Sequence, residues 1–409
     1  MTPRVSVVVP THDRRAQLGR SLAALRRQTF PVEQTEVIVV ADGCSDGTEA
    51  MAIEAPLSGT VISQAAAGPA AARNRGAAVA AGELIIFLDD DVEPDSGLVE
   101  AHVRAHAATT VPTLVVGYLP TRLHGRLDAF GSSLRGWWEQ MFERMRQHGH
   151  RFTYADVLSG NCSIPRSLFE AVGGFDDRFL CHEDYELGFR VLRAGASIAF
   201  APDAVGWHDE RTSLRGVQRR KRAEGAADVA LANAHPTLVP ALMWARVDRP
   251  QTRRGRALRA LGRRWPAAGR LASGVLRAEL AVLGRLQARQ RWRRLLEDLL
   301  AYWYWCGVWE AAGPATASEL RGRFGSGGVD VEPLPRIDLQ HGLAAAAVEL
   351  DRLAPRGVVL HLAGEHVGTV PEQPWAEPLA GRHLRRLLVT TFANRLSQVL
   401  TPANDVEHP

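Results

Sequence analysis

Short apolar runs that end abruptly in carboxylates constrain this chain most. Val5–Val9 (VSVVV), Val37–Val40 (VIVV) and Leu84–Leu88 (LIIFL) are apolar almost throughout, the pattern of strands buried on both faces. Pro10 closes the first, Asp42-Gly43 stops the second, and the third runs straight into Asp89-Asp90-Asp91. Between them, Leu18, Leu22 and Leu25 recur at helical spacing. Ala70–Ala81 is small and helix-compatible, with Gly82 in the C-cap position. Thr60–Ser63 reads as a weaker strand. Strands alternating with helices predict an α/β fold, a mostly parallel sheet with helices on both faces. Ligands then bind at the carboxyl ends of the strands. The unusual polar residues fall there: Thr11 to Asp13, Asp42 to Asp46 and Asp89 to Asp91.

The rest of the chain continues in shorter elements. Thr113–Tyr118 reads as a strand, Ser159-Gly160-Asn161 as a turn, and Arg166–Val172 and Glu183–Arg193 as helices, the latter closed by Gly195. Ile198–Ala201 is a short strand before Pro202. Leu276 to Trp303 reads as helical. Trp292, Leu295, Leu296, Leu299, Leu300 and Trp303 keep the rhythm of one apolar stripe. Gly313-Pro314 and Gly325-Ser326-Gly327-Gly328 punctuate the next stretch and suggest a linker. The tail reads as helix Leu343–Leu353, strands Val358–Leu362 and His366–Val370, and helix Leu384–Leu400.

Charge separates function classes. Of 49 basic residues only Lys221 is a lysine. There is no Gly-rich GK[ST] phosphate loop, and a Schiff-base enzyme would depend on Lys221 within an arginine run. From Arg211 to Arg294, twenty arginines and Lys221 face four acids, a surplus of +17 inside a chain whose net charge is +4. The flanking parts are therefore acidic. Cys44, Cys162, Cys181 and Cys306 lack CxxC or metal-type spacing, which fits free thiols in a reducing compartment. The opening MTPRVSVVVPTHDRR lacks the apolar core of a signal peptide, and no stretch approaches 18 apolar residues.

Three carboxylates at the end of a buried strand are costly unless a cation compensates them. Oxygen ligands suit Mg²⁺ or Mn²⁺, and a D-x-D pair of Asp89 and Asp91 on one strand face can hold one such ion. An acidic loop or helix cap is the plainer reading of the same residues. Asp42 can accept hydrogen bonds from a base or ribose, or simply make an Asp-Gly turn. Arg73 suits phosphate. His182-Glu183-Asp184 opens a helix, where the dipole favours acids; a general base is the functional alternative. His208 follows a short strand as a ligand, a phosphate contact or a structural histidine.

Five segments carry a family resemblance: VSVVVPTHDR (5–14), VIVVADGCSDGT (37–48), GPAAARNRGAAVAAGELIIFLDDDVEPD (68–95), GNCSIPRSLFEAVGGFDDRF (160–179) and HEDYELGFRVLRAGASIAFAPDAVGWH (182–208). In this order they resemble family 2 glycosyltransferases of the bacterial, non-processive type. The resemblance implies the GT-A fold for 1–235; charge and element pattern read 236–312 as an Arg-rich helical segment and 313–409 as a small α+β C-terminal domain of unknown role. It implies inverting transfer of a sugar from a nucleotide-diphosphate donor to a hydroxyl acceptor. Thr11, His12 and Asp42 would line the nucleobase and ribose. Arg73, Asp89 and Asp90 would contact the donor. Asp91, Asp89 and His208 would hold Mn²⁺ or Mg²⁺. Asp184 would be the base, with Asn161 and Glu183 on the acceptor side. Ala41 and Cys44 depart from the common D-D-G-S, and His12-Asp13 from the frequent aromatic-Asn. No Q-x-x-R-W motif is present, which favours single addition. RRKRAEGAADVALANAHPTLVP (219–240) is similar to the R-Y-G…H-P segment of members that modify peptide-derived redox cofactors, with Glu224 where Tyr is usual.

Two other readings compete. One is a nucleotide-sugar-binding protein without turnover. The other is a polyanion or membrane-surface binder built on Arg211–Arg294. Aromatics are sparse in that basic segment and no nucleic-acid motif occurs, so nucleic acid is not expected as a partner. The expected partners are the donor and a hydroxyl-bearing acceptor: a glycan, a lipid-linked molecule or a peptide-derived small molecule. The expected location is the cytoplasm, with peripheral contact to the inner membrane face.

Overall fold

A computed structural model describes residues 4–55, 59–123, 128–246, 252–325 and 333–400. The strands are β1 (Val5–Thr11), β2 (Thr35–Asp42), β3 (Gly59–Gln64), β4 (Leu84–Leu88), β5 (Val92–Pro94), β6 (Thr113–Tyr118), β7 (Thr121–Leu123), β8 (Asn161–Pro165) and β9 (Ser197–Glu210). Among the described residues they form one nine-stranded sheet in the order β3-β2-β1-β4-β8-β6-β9-β5, with β7 also on β9. β1 pairs in parallel with β2 and β4, and β2 with β3. β8 runs antiparallel between β4 and β6, and β6 is parallel to β9. The expected mostly parallel sheet is present. β1 and β4 are buried at every position, which is why their sequences are apolar runs without alternation.

Helices α1 (Arg15–Leu25), α2 (Thr48–Glu54), α3 (Pro69–Val79), α4 (Leu98–Ala107), α5 (Ala129–Arg146), α6 (Arg166–Ala171) and α7 (Glu183–Arg193) accompany the sheet. They are followed by α8 (Leu214–Ala234), α9 (Arg253–Arg264), α10 (Pro266–Arg285), α11 (Arg289–Ala312) and α12 (Ala317–Phe324). A second sheet, β10 (Arg336–Asp338), β11 (Val358–Leu362) and β12 (Glu365–Val370), packs with α13 (Leu343–Leu353), α14 (Gly381–Arg386) and α15 (Ala393–Leu400).

Several expectations need correction. Gly82 is not a C-cap, because α3 already ends at Val79. Instead Gly82 passes close to β1, its N–H donating to Ser6 Oγ at 2.8 Å. Asn161 is the first residue of β8 rather than a turn residue. The short strand expected at Ile198–Ala201 extends to Glu210. It passes Pro202 at a register break opposite Gly117 and Tyr118, where a missing N–H costs no ladder bond. The single helix expected from Leu276 breaks after Arg285, with Gln287 at φ +53°. The tail helix bends at Phe392. The proposed Gly325–Gly328 linker lies, beyond Gly325, outside the described residues.

α8 and α11 pack so closely that each needs a glycine. A Cβ on Gly225 would sit 2.0 Å from the Tyr304 carbonyl oxygen, and one on Gly307 would sit 1.7 Å from that of Arg222. The far half of α11 thereby joins the core of the large sheet through Tyr304, Trp305 and Val308. Its near half joins α9 and α10 in a separate apolar cluster around Trp292, Leu295, Leu299 and Tyr302. The C-terminal sheet has its own core, Leu350, Val358, Leu360 and Leu379 among it. It docks beside α7. Arg356 Nη2 donates to the Leu192 carbonyl at 2.9 Å, and Arg151 reaches the carbonyls of Glu377 and Arg356.

Candidate functional site

The carboxyl ends of β1, β2 and β4 meet the start of α7, and the polar residues of those strand ends gather there. Arg73, on α3 and 3% exposed, joins two of them. Its Nη2 donates to Asp89 Oδ1 at 2.7 Å and its Nη1 to Glu183 Oε1 at 2.9 Å. Desolvation alone would lower the guanidinium pKa, but Asp89 and Glu183 raise it instead, so Arg73 is a permanent cation. Its Nε is buried without a partner. The bridge ties the end of β4 to the first turn of α7.

Asp184 follows at the next position of α7 and is half-buried. Burial, then the neighbouring Glu183 charge, pushes its carboxyl up to about 7. Asp184 Oδ1 accepts the Tyr185 N–H at 2.9 Å. His182, before the helix, has φ +63°. Its Nδ1 stands 3.1 Å from Asp228 Oδ1, and its ring stacks on Tyr185 with centroids 4.4 Å apart. Burial opposes a charge on His182, but Asp228 overrides it and raises the pKa. Asp228 is on α8 and also accepts from Tyr304 Oη of α11. The basic middle of the chain therefore supports the residue that starts the α7 acids.

The aspartate triplet divides. β4 ends at Leu88, so Asp89 to Asp91 lie in a turn rather than alternating along a strand. Asp90 is buried, accepts from Thr11 Oγ1 at 2.7 Å and from Arg14 at 3.0 Å. Burial pushes it up to about 6, against the pull of Arg14. Asp91 also pairs with Arg14, and its Oδ1 lies 3.7 Å from His208 Nε2. Burial and then Asp89 raise the Asp91 carboxyl. Asp89 keeps 37% of its side chain exposed. Among the described residues no group of three or more His, Cys, Asp or Glu stands ready as a metal cage. Asp89 and Asp91 offer oxygen donors of the kind Mg²⁺ or Mn²⁺ takes, each held here by an arginine.

The remaining expected residues vary. His12 is exposed, and its Nδ1 lies 2.5 Å from the Asp42 carbonyl, a contact that raises its pKa. The Asp42 carboxylate accepts from Gln64 Nε2 and from the backbone N–H of Ala67 and Gly68 at 2.8–2.9 Å. Three of its roughly four acceptor positions are thus used to fold the loop into α3. Asn161 is fully buried. Its amide donates to Tyr118 and Ala204 carbonyls while its Oδ1 meets His102 Nε2. It pins β6, β8 and β9 together from within the layer. Glu183 lies beneath the surface on Arg73. Arg14 was missed as a site residue, although it closes the segment VSVVVPTHDR beside Asp13. The Asp228–Tyr304 support was missed too, and only folding brings positions 182, 228 and 304 together.

Residues 3–227 match the family described as glycosyltransferase like family 2. Validoxylamine A glucosyltransferase of Streptomyces hygroscopicus subsp. jinggangensis (strain 5008) is 29% identical over 282 residues, 60% of this chain and 64% of that protein. Pre-mycofactocin glycosyltransferase of Mycobacterium tuberculosis (strain CDC 1551 / Oshkosh) is 31% identical over 239 residues, 57% of this chain and 48% of that protein. The chain thus spans less than two thirds of the length of these curated relatives. The mannosyltransferase PcManGT from Pyrobaculum calidifontis, solved in complex with GDP-Man and Mn2+, shares the fold. It matches with a TM-score of 0.50 at 20% identity, over 76% of this chain and 88% of that one.

Proposed function

The chain belongs to the glycosyltransferase like family 2, and on that footing we propose that it moves a sugar from a nucleotide-diphosphate donor to a hydroxyl acceptor, singly and with inversion. The observation that carries this reading is the Arg73 bridge, which holds Asp89 and Glu183 at once and so brings the D-x-D segment beside Asp184.

In this reading Asp184 takes the proton from the acceptor hydroxyl. A carboxyl held near 7 is matched to that task at neutral pH. The acceptor oxygen forms its bond to the anomeric carbon from the face opposite the leaving group. The bond from that carbon to the diphosphate breaks, and its electron pair goes to the diphosphate oxygen. One displacement inverts the centre. Asp91 and Asp89, with His208, would hold Mn²⁺ or Mg²⁺. When bound, the ion would offset the charge developing on the diphosphate. Thr11, His12 and Asp42 are proposed for the nucleoside end. Asp90, buried against Thr11 and Arg14, positions that wall. Arg73 positions Asp89 and Glu183. GDP-Man and Mn2+ in the PcManGT complex support a nucleotide-sugar donor and a divalent ion of this kind.

A thermal-shift screen of UDP-, GDP- and dTDP-sugars with Mn²⁺ identifies the donor. With that donor, Asp184→Asn should bind it near the parental affinity and lose at least a thousandfold in turnover. EDTA should abolish transfer, and Mn²⁺ or Mg²⁺ should restore it. Turnover retained in Asp184→Asn removes the base assignment. Full activity in excess EDTA removes the metal.

A further inference from the structure

Helix α10 has two apolar faces, and among the described residues only one is covered. Gly269, Ser273, Leu276 and Leu280 are buried against α9 and α11. On the other side Leu271, Val275, Ala278, Val282 and Leu286 recur at i, i+4, i+7, i+11 and i+15, a continuous stripe over four turns. Leu271 is 74% exposed, Val275 63%, Val282 50% and Leu286 71%. Trp265, just before the helix, is 58% exposed. Single exposed apolar residues are ordinary, whereas a contiguous row of this length marks a contact surface.

The charge around the stripe is predominantly positive. α9 to α11 carry thirteen arginines and four acids, and α9 has no acid at all. Exposed arginines stand at both ends of the stripe: Arg263, Arg264 and Arg270 at one, Arg285, Arg289 and Arg291 at the other. The Arg264 guanidinium lies over the Trp265 ring, 5.6 Å from its centroid. The one acid of α10, Glu279, is already paired with Arg254 at 2.8 Å. No helix among the described residues is long and apolar enough to cross a membrane. Leucine, valine and tryptophan between two arginine clusters fit the boundary between headgroups and acyl chains, with arginines on anionic headgroups.

We infer that α10 is a docking surface for an anionic lipid bilayer, on which the chain lies peripherally. The stripe enters the headgroup–acyl boundary, and Arg263, Arg264, Arg270, Arg285, Arg289 and Arg291 hold phosphate groups around it. Charge complementarity selects this occupant. A second copy of the chain would bring an equally basic face against this one, a repulsive pairing.

Vesicle co-sedimentation of the full chain tests this. Phosphatidylcholine vesicles containing phosphatidylglycerol should bind the chain at low ionic strength, while pure phosphatidylcholine vesicles should not. Raising the salt should weaken binding at least tenfold. Leu271→Glu with Val275→Glu and Leu286→Glu should lose at least tenfold in vesicle binding while keeping the parental circular dichroism and donor thermal shift. Three outcomes would overturn the inference. One is the absence of binding to anionic vesicles at low salt. Another is binding that survives the triple substitution, which would assign it to the arginines alone. The last is a wild-type dimer that the triple substitution turns into a monomer without vesicle binding. The donor thermal shift is read separately, so failure here and failure of the transferase reading are distinguishable.

Discussion

Asp184, the base proposed above, would serve chemistry at a cost to the fold. Its carboxyl is pushed up to about 7 by burial and by Glu183. A base acts when ionised, so kcat/KM should rise with pH through about 7 and level above it. Stability runs the opposite way. In the unfolded chain the same carboxyl ionises near 4. A raised folded pKa means its favourable contribution is complete below about pH 4 and is lost as pH rises to about 7. Asp184→Asn should therefore stabilise the protein by on the order of 1–3 kcal/mol at pH 8 and by little at pH 4. Melting curves of both proteins across that range would check this, and a difference independent of pH would contradict a high Asp184. The acids themselves were legible as a pair opening a helix. The ion pair was not, because Arg73, whose guanidinium holds Glu183, stands 110 positions earlier in the chain.

Among the elements, the contact of α8 with α11 makes the strongest demand. The atoms facing Gly225 and Gly307 are backbone carbonyl oxygens, which cannot rotate aside as a side chain would. Gly307→Ala should force the helices apart and cost about 3 kcal/mol or more. Denaturant unfolding would show it as a lower midpoint, and a midpoint within error of the parent would refute the close approach. The displacement would also loosen Tyr304 from Asp228 and thus His182 from its place before α7. Elements with a strong internal pattern were readable from residues alone. β6, α7, α13 and β11 begin and end where composition places them. β8 was not readable, since Asn161–Pro165 becomes a strand only by pairing with β4 and β6. Nor was the length of β9, which continues past Pro202 only because the register breaks there.

Across the whole molecule, the C-terminal sheet is held to the large one by a few buried polar contacts. Arg356 gives hydrogen bonds to the Leu192, Pro374 and Ala376 carbonyls, and Tyr154 N–H reaches the Trp375 carbonyl. Arg356→Ala removes the hydrogen bond across the dock to the Leu192 carbonyl, which keeps its bond from the Gly195 N–H, while the C-terminal core keeps its own leucines and valines. Amide exchange should then speed at Thr153–Asp156 and Trp375–Glu377, with β1, β2 and β4 unchanged; exchange unaltered at both segments would show that the dock does not depend on Arg356. The sequence by itself determined the layered α/β architecture, the strand ends where polar residues collect, and the segregation of positive charge in the middle. Those follow from periodicity and composition, which are local properties. Tertiary structure alone decided which carboxylates are neutralised, that Asn161 is a buried pin, and that the basic segment braces His182 from within. It also decided that, among the described residues, one face of α10 stays uncovered. Each of these depends on which distant residue arrives beside which, and burial and electrostatics act on that neighbourhood rather than on order along the chain.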